Sequence, residues 1–335
     1  MKYRDLGNTD LKVSEIGFGC QSIGGGLYYK NDLESIRTLN YAYDSGINFF
    51  DTSDHYSLGE SEKLIGRTFK GKRDKIIIGT KTGTLYSQTA LFLLKARAFA
   101  RPVGKYLKSL KIYLHSMRAK EKRKDFSPGH LIEAVENSLK HLQTDYIDIY
   151  QLHKPSKEIL KEGKFIGTLE LLKKQGKIRY FGISCQDNED AFLCLKHPEI
   201  SSVQLTFNLL DNKFIKDILP AAKEKKMGII ARNPRAQGHL TAEFSDIMAE
   251  TYAKDYREFE SKKEKAKQFE FLITKNRTLA QAALQFVLNS EEVSTAIPRA
   301  VNTNQLKEIL GTFDAPPLQD SEISKISSIK NSLNK

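Results

Sequence analysis

Eight short runs rich in Ile, Val, Phe and Tyr recur along the chain, at residues 16–20, 47–52, 75–81, 146–153, 178–184, 202–207, 228–233 and 294–298. Longer stretches with apolar positions three or four apart separate them, among them LESIRTLNYAYDSG, SPGHLIEAVENSLKHLQ, FIGTLELLKKQGK and LPAAKEKKMG. Three of these four stretches end in Gly or Lys, as helices do, and a strand reaches a parallel neighbour only through such a crossover. The alternation therefore predicts a parallel α/β sheet. Either a closed barrel or an open doubly wound sheet would satisfy it. Glycine placement separates the two. GFGCQSIGGG carries Gly17 and Gly19 but Ser22 where a dinucleotide fingerprint needs its third glycine, and no clear acidic ribose ligand follows the next strand. Polar residues stand instead at the C-terminal ends of several strands, the barrel-enzyme arrangement. The expectation is one (β/α)8 TIM barrel spanning residues 1–335.

Two segments exceed a minimal barrel. Residues 244–275 read as a charged helical excursion before the last strand. Residues 86–124, after the third strand, hold seven lysines and four arginines against the single acid Glu121, so most of the net charge of +12 resides there. From Pro102 onward, Val103, Tyr106, Leu107, Leu110, Leu114 and Met117 fall mostly three or four apart, with Lys105, Lys108, Lys111 and Arg118 on another side. That pattern predicts basic amphipathic helices. They either pack beside the barrel mouth with a solvated basic face or, through residues 91–120, dock on an anionic membrane surface or an acidic partner. A nucleic-acid role ranks below both, because no recognition motif is present and only Tyr106 and Tyr113 offer stacking faces.

The rest of the chain has an enzyme-like balance. No apolar run approaches the ~20 residues that span a bilayer. The opening MKYRDLGNTD lacks the pattern of a secretory signal, and Cys20, Cys185 and Cys194 are too few and too irregular for a disulfide framework or a structural zinc site. A cytoplasmic enzyme without a metal centre is expected, with peripheral contact at the inner membrane face if the basic helices dock there.

Four residues at strand ends carry chemistry. Asp51 closes INFFDTS, Tyr56 follows in the next loop, Lys81 ends KIIIGTK, and His153 ends YIDIYQLH. Taken singly, each has a plain structural reading: a helix cap, a surface aromatic, a solvated lysine, a structural histidine. Together they would converge on one barrel mouth. A lysine cation held by Asp51 is expected to favour the Tyr56 phenolate and bring its pKa down from about 10, making a usable general acid. His153 would orient a substrate carbonyl and share its developing charge.

With these residues in place, the chain resembles the aldo/keto reductase superfamily over nearly its whole length, residues 86–124 excepted. MKYRDLGNTDLKVSEIGFG resembles the family's N-terminal β-hairpin plug and first strand, and DTSDHYSLGESEKLIG its Asp-and-Tyr segment. GTK and QLHKP resemble its lysine and histidine strands, and GKIRYFGIS, SVQLTFNLLD and STAIPRAVNTNQLKEIL its cofactor-binding half. The resemblance implies Asp51, Tyr56, Lys81 and His153 as a catalytic tetrad, and reduction of an aldehyde or ketone by a nicotinamide cofactor. A cofactor-binding, redox-sensing accessory subunit with little turnover is the rival. It also implies that Ser184 and Gln204 hold the nicotinamide carboxamide, with Cys185 where relatives usually have Asn. The loop from Arg232 through Asn233, Arg235 and Gln237 to Gly238 would wrap the pyrophosphate, and Gly19 and Gln305 would line the same site. Arg232 stands where an aromatic often stacks on the nicotinamide, and Glu243 where many relatives carry a lysine, a loss that Arg235 offsets. Arg299 suits the 2'-phosphate of NADP(H), because guanidinium matches phosphate geometry. NADP is therefore expected over NAD.

Overall fold

The computed structural model describes residues 1–24, 32–86, 122–213, 215–241 and 256–333. Strands β1 (Tyr3–Asp5) and β2 (Lys12–Ser14) pair antiparallel through a turn at Gly7, which has a φ of 57° and where an added Cβ would lie 2.3 Å from Gly228 N, leaving no room for a side chain. There follow β3 (Phe18–Gly19), α1 (Asp32–Asp44), β4 (Phe49–Asp51), α2 (Glu60–Thr68) and β5 (Ile77–Thr82). Next come a stem of β6 (Thr84–Tyr86) and β7 (Lys122–Lys124), then α3 (Pro128–Leu142), β8 (Ile147–His153), α4 (Lys157–Glu162), α5 (Phe165–Lys174), β9 (Ile178–Ser184) and α6 (Ala191–Cys194). The chain continues through β10 (Ser202–Thr206), α7 (Ile215–Glu224), β11 (Gly228–Arg232), α8 (Tyr256–Lys267), α9 (Leu279–Leu288), β12 (Val293–Ile297), α10 (Thr303–Leu310) and α11 (Asp320–Leu333).

Eight parallel strands line up as β3, β4, β5, β8, β9, β10, β11, β12. The ends of this sheet meet. Ile16 bridges Ala296 in parallel, Gly17 N donates to Ala296 O at 2.8 Å, and Gly19 N donates to Pro298 O at 3.0 Å. The fold is a (β/α)8 barrel, and each of the eight apolar runs overlaps one of its strands, β5 and β12 each reaching one residue beyond theirs.

Strand alternation sorts the side chains into an outer shell and an inner stack. Phe50, Ile78, Tyr150, Leu152, Phe181, Ile183, Val203 and Ala231 face the helices in one large apolar cluster. Phe49, Ile77, Ile149, Ile230 and Ile297 form a separate cluster inside the barrel, which the hairpin's Leu6, Leu11 and Val13 cap from below. The hairpin is thus a plug. Arg4 fastens it, donating to Leu288 O (2.8 Å), Ser290 O (2.9 Å) and Val293 O (2.7 Å) and pairing with Glu15. At the far end of α9, Arg277 is buried and donates to Leu272 O, Pro316 O, Pro317 O and Glu322, tying down the chain that leads into α11.

The stem pairs Thr84 with Lys124, Leu85 with Arg123 and Tyr86 with Lys122. The basic helices expected between them, the proposed docking stretch 91–120 included, lie outside the described residues. So does the first part of the 244–275 excursion; its remainder contains α8. Among the described residues no helix is long and apolar enough to cross a membrane.

Candidate active site

Two residues above the inner apolar layer, the same inward face turns polar. Phe49 is followed at that spacing by Asp51, Ile149 by Gln151, and Ile230 by Arg232; Gly79 stands above Ile77 and Lys81 above Gly79. Gly79 has a spatial reason, since a Cβ there would lie 3.1 Å from the Phe49 ring and 3.5 Å from Gln151 Nε2. The polar layer forms one connected network. Lys81 Nζ donates to Asp51 Oδ2 and to Thr52 O, both at 2.6 Å, with both side chains of the ion pair buried. Asp51 Oδ1 accepts from Gln204 Nε2 at 2.8 Å and from Gln151 Nε2 at 3.2 Å. Gln204 Oε1 in turn accepts from Ser184 Oγ at 3.0 Å. Arg232 closes the chain, donating to Ser184 Oγ (3.0 Å), Thr206 Oγ1 (3.0 Å) and Gln186 O (3.1 Å).

Tyr56 reaches this network from the loop after β4. Ser57, Leu58 and Gly59 adopt φ values of 51°, 60° and 87°, three successive left-handed residues that fold the chain back into α2. Each non-glycine residue there costs on the order of 1–3 kcal/mol, and such strain gathers at sites where geometry matters. The Tyr56 ring lies 5.2 Å from Lys81 Nζ. It meets the His153 ring edge-on with centroids 6.4 Å apart. Tyr56, Lys81 and His153 are therefore neighbours at the C-terminal ends of the strands.

The electrostatics differ from the expectation for Tyr56. Burial, and after it the Asp51 charge, pushes its hydroxyl above the usual tyrosine range. Lys81, expected to bring it down, directs its ammonium at Asp51 and Thr52 O instead. Burial also draws the Lys81 ammonium down, against the opposing pull of Asp51. His153 is held well below the ordinary histidine value by burial, then by His55 and the cations Lys81, Lys124 and Lys154, so its ring is neutral. Among the described residues its Nδ1 has no hydrogen-bond partner.

The expected cofactor residues fall into two groups. Ser184, Gln204 and Arg232 belong to the network beside the tetrad. Gly19, Arg235 and Arg299 lie together farther round the rim: a Cβ at Gly19 would sit 3.0 Å from Ile297 O and 3.5 Å from Arg299 Cγ, and Arg235 donates to Arg299 O. Left-handed Asn233 and Gln237, with Gly238 at φ 108°, turn the loop back toward that point. Two guanidinium groups beside the N-terminus of α10 suit phosphate oxygens, so the donor set fits a dinucleotide. Two residues are placed otherwise. Cys185 is fully buried in the outer apolar cluster with Cys194, its thiol turned from the mouth. Gln305 spends its side-chain oxygen on Val301 N at 3.0 Å, while its own N–H is capped by Asn302. Glu243 lies outside the described residues.

Sequence reasoning missed Gln151 and His55. Gln151 stands two residues before His153, the spacing that puts both on the inner face of β8. His55 stacks on His153 at 4.7 Å and lies 4.9 Å from Tyr56. Ser53 Oγ lies 2.8 Å from Lys81 O, which can only accept, and 2.7 Å from His55 Nδ1. The hydroxyl's one proton goes to the carbonyl, so the proton between Ser53 and His55 resides on Nδ1.

Comparison with known proteins identifies the fold and the family. An oxidoreductase of Bacillus subtilis, YqkF, described as uncharacterized, is 31% identical over 98% of this chain and 96% of its own. The NADH-specific methylglyoxal reductase of Escherichia coli is 30% identical over 72% of this chain and 69% of its own. The holo structure of aldo-keto reductase AKR11C1 from Bacillus halodurans superposes with a TM-score of 0.76 at 30% identity, covering 98% and 96% of the two chains. Residues 15–331 match the family model for aldo/keto reductases. A match that takes in all eight barrel strands apart from the plug leaves one conclusion: this chain is a member of the aldo/keto reductase family of oxidoreductases.

Proposed function

We propose that the protein reduces an aldehyde or ketone to an alcohol with NADPH, Tyr56 supplying the proton. The observation that carries this reading is the buried Lys81–Asp51 pair at 2.6 Å, set between the Tyr56 ring and the Ser184–Gln204 pair. The bound dinucleotide would supply a hydride to the carbonyl carbon; the other tasks fall to the chain. Tyr56, its pKa raised, is protonated throughout the neutral range, and an alkoxide is basic enough to take that proton. Neutral His153 beside it orients the carbonyl oxygen and shares the growing charge, in a site whose buried ion pair needs no rearrangement during the reaction. Ser184 and Gln204 hold the carboxamide, and exchanging their present partners for it couples cofactor seating to Asp51.

Arg299 and Arg235 favour NADPH over NADH, because the 2'-phosphate wants a guanidinium. One relative's name specifies NADH, so the choice belongs to this chain's own residues. The test is loss of NADPH absorbance with a panel of aldehydes and ketones, run beside Tyr56→Phe. Turnover that vanishes in the variant supports the reading. One bound-cofactor oxidation without repeated turnover would point to the redox-sensing role instead.

A further inference from the structure

An imidazole that orients a carbonyl needs a fixed plane, and histidines in such roles commonly gain it from a hydrogen bond at their second ring nitrogen. His153 gains none at Nδ1, which is buried and has no hydrogen-bond partner among the described residues. Register pairing with Ser184 fixes its backbone but leaves the side-chain torsions open. Packing has to set them. Among the described residues two rings pair with His153. Tyr56 meets it edge-on with centroids 6.4 Å apart, toward the far end of the range for interacting rings, whereas His55 stacks on it at 4.7 Å with the planes 25° apart.

His55 is itself anchored. Its Nδ1 lies 2.7 Å from Ser53 Oγ and 3.4 Å from Asp54 Oδ1. Ser53 is fully buried and donates to Lys81 O at 2.8 Å, and Asp54 accepts from Thr82 Oγ1 at 2.7 Å. The end of β5, which carries Lys81, therefore reaches the imidazole at the end of β8 through one intermediate ring. The same ring stands edge-on to Tyr56, with centroids 4.9 Å apart and planes at 69°. One side chain thus spaces the proposed proton donor from the proposed carbonyl-orienting group.

We infer that His55 is a positioning residue, its ring anchored by Ser53 and stacked on His153 so that the His153 imidazole keeps one orientation. The catalytic use of that orientation rests on the reductase reading of the same site, and the test separates the two. Three variants of the full-length protein divide stacking from hydrogen bonding: His55→Phe keeps a flat ring without the bond to Ser53, His55→Gln keeps a donor without the ring, and His55→Ala keeps neither. With NADPH and a panel of aldehydes and ketones, kcat is expected to fall about tenfold in His55→Gln and His55→Ala, as for a slightly misaimed group, with NADPH affinity unchanged. His55→Phe should stay within about threefold of the wild type, because it restores the stack. Wild-type kcat in His55→Ala, or a His55→Phe as slow as His55→Ala, overturns the inference while leaving reductase activity intact. If the wild type reduces no carbonyl compound, the reductase reading falls, and the titration of the His153 ring, followed by long-range proton–nitrogen NMR, decides the inference. Lys81, Lys124 and Lys154, the cations near that ring, are the same in all four proteins. A His153 midpoint well below the ordinary value of about 6.5 in the wild type and His55→Phe, rising toward it in His55→Ala, supports the inference. A midpoint unmoved in His55→Ala, or raised as far in His55→Phe, overturns it.

Discussion

Gln204 Nε2 lies 2.8 Å from Asp51 Oδ1, so the strand expected to seat the nicotinamide directly touches the acid that holds Lys81. In the proposed reaction, cofactor seating and proton donation would share this one carboxylate. Removing both partners should therefore cost less than the sum of the single losses. In a cycle of Gln204→Ala, Asp51→Asn and the double variant, log kcat/KM should show an interaction of about 0.5–3 kcal/mol, the range for residues in one network. Strict additivity would mean that the contact is not used in turnover.

Tyr56→Phe should abolish most turnover, at least about a hundredfold in kcat, with NADPH affinity nearly unchanged, because the lost interaction forms chiefly in the transition state. Fluorescence titration of NADPH alongside steady-state rates checks this. An effect confined to KM would remove Tyr56 from the proton-donor role.

The pKa of Tyr56 lies above the ordinary tyrosine value, so its acid form persists to high pH and its base form is scarce at neutrality. Carbonyl reduction should stay flat from pH 6 to 9. Alcohol oxidation with NADP⁺ needs the phenolate and should accelerate by up to about tenfold per unit from pH 7 upward. Initial rates in both directions across one buffer series provide the measurement; an oxidation rate that levels off below pH 8 would show that the bound state lowers the hydroxyl after all.

Burial keeps His153 neutral where an unfolded histidine would charge, and His239 is likewise pushed down to about 4. Below about pH 6.5 the unfolded chain binds protons that the folded one refuses, so stability rises with pH in this window and is lost as pH falls through it. Urea midpoints at pH 7.5 and 5 should differ accordingly, and the difference should narrow in His153→Gln. A pH-independent midpoint would contradict the burial of both rings.

Arg299→Ala should weaken NADPH by about tenfold or more while leaving NADH within about twofold, since only the former carries the 2'-phosphate and a charged hydrogen bond is worth about 1.5–3 kcal/mol. Equilibrium binding of the two cofactors decides it, and equal weakening would give Arg299 another role.

The barrel was legible because its signals are repeated. Eight apolar runs with intervening amphipathic stretches survive an error of two residues at any one boundary, and Asp51, Lys81 and His153 could be placed because strand ends set the mouth. Tyr56 came from its spacing to Asp51; nothing local announced the three left-handed residues after it. The raised Tyr56 pKa was not legible, because it depends first on how deeply the folded barrel buries the hydroxyl and then on the nearby Asp51 charge. Cys185 continues the alternation of β9, in which Phe181 and Ile183 face outward and Ser184 inward, so its thiol falls in the outer apolar cluster.

The β6–β7 stem brings Tyr86 and Lys122 opposite each other, so the thirty-five residues between them leave and rejoin the barrel about 5 Å apart. A segment that starts and finishes at one point adds only a loop-closure entropy, which grows by about 0.6 kcal/mol for each doubling of length. The stem is therefore a socket for interchangeable cassettes. Evolution could lengthen, recharge or delete what it carries without renegotiating the eight strands, and an engineer could splice a different module at the same two residues, beside the chemistry.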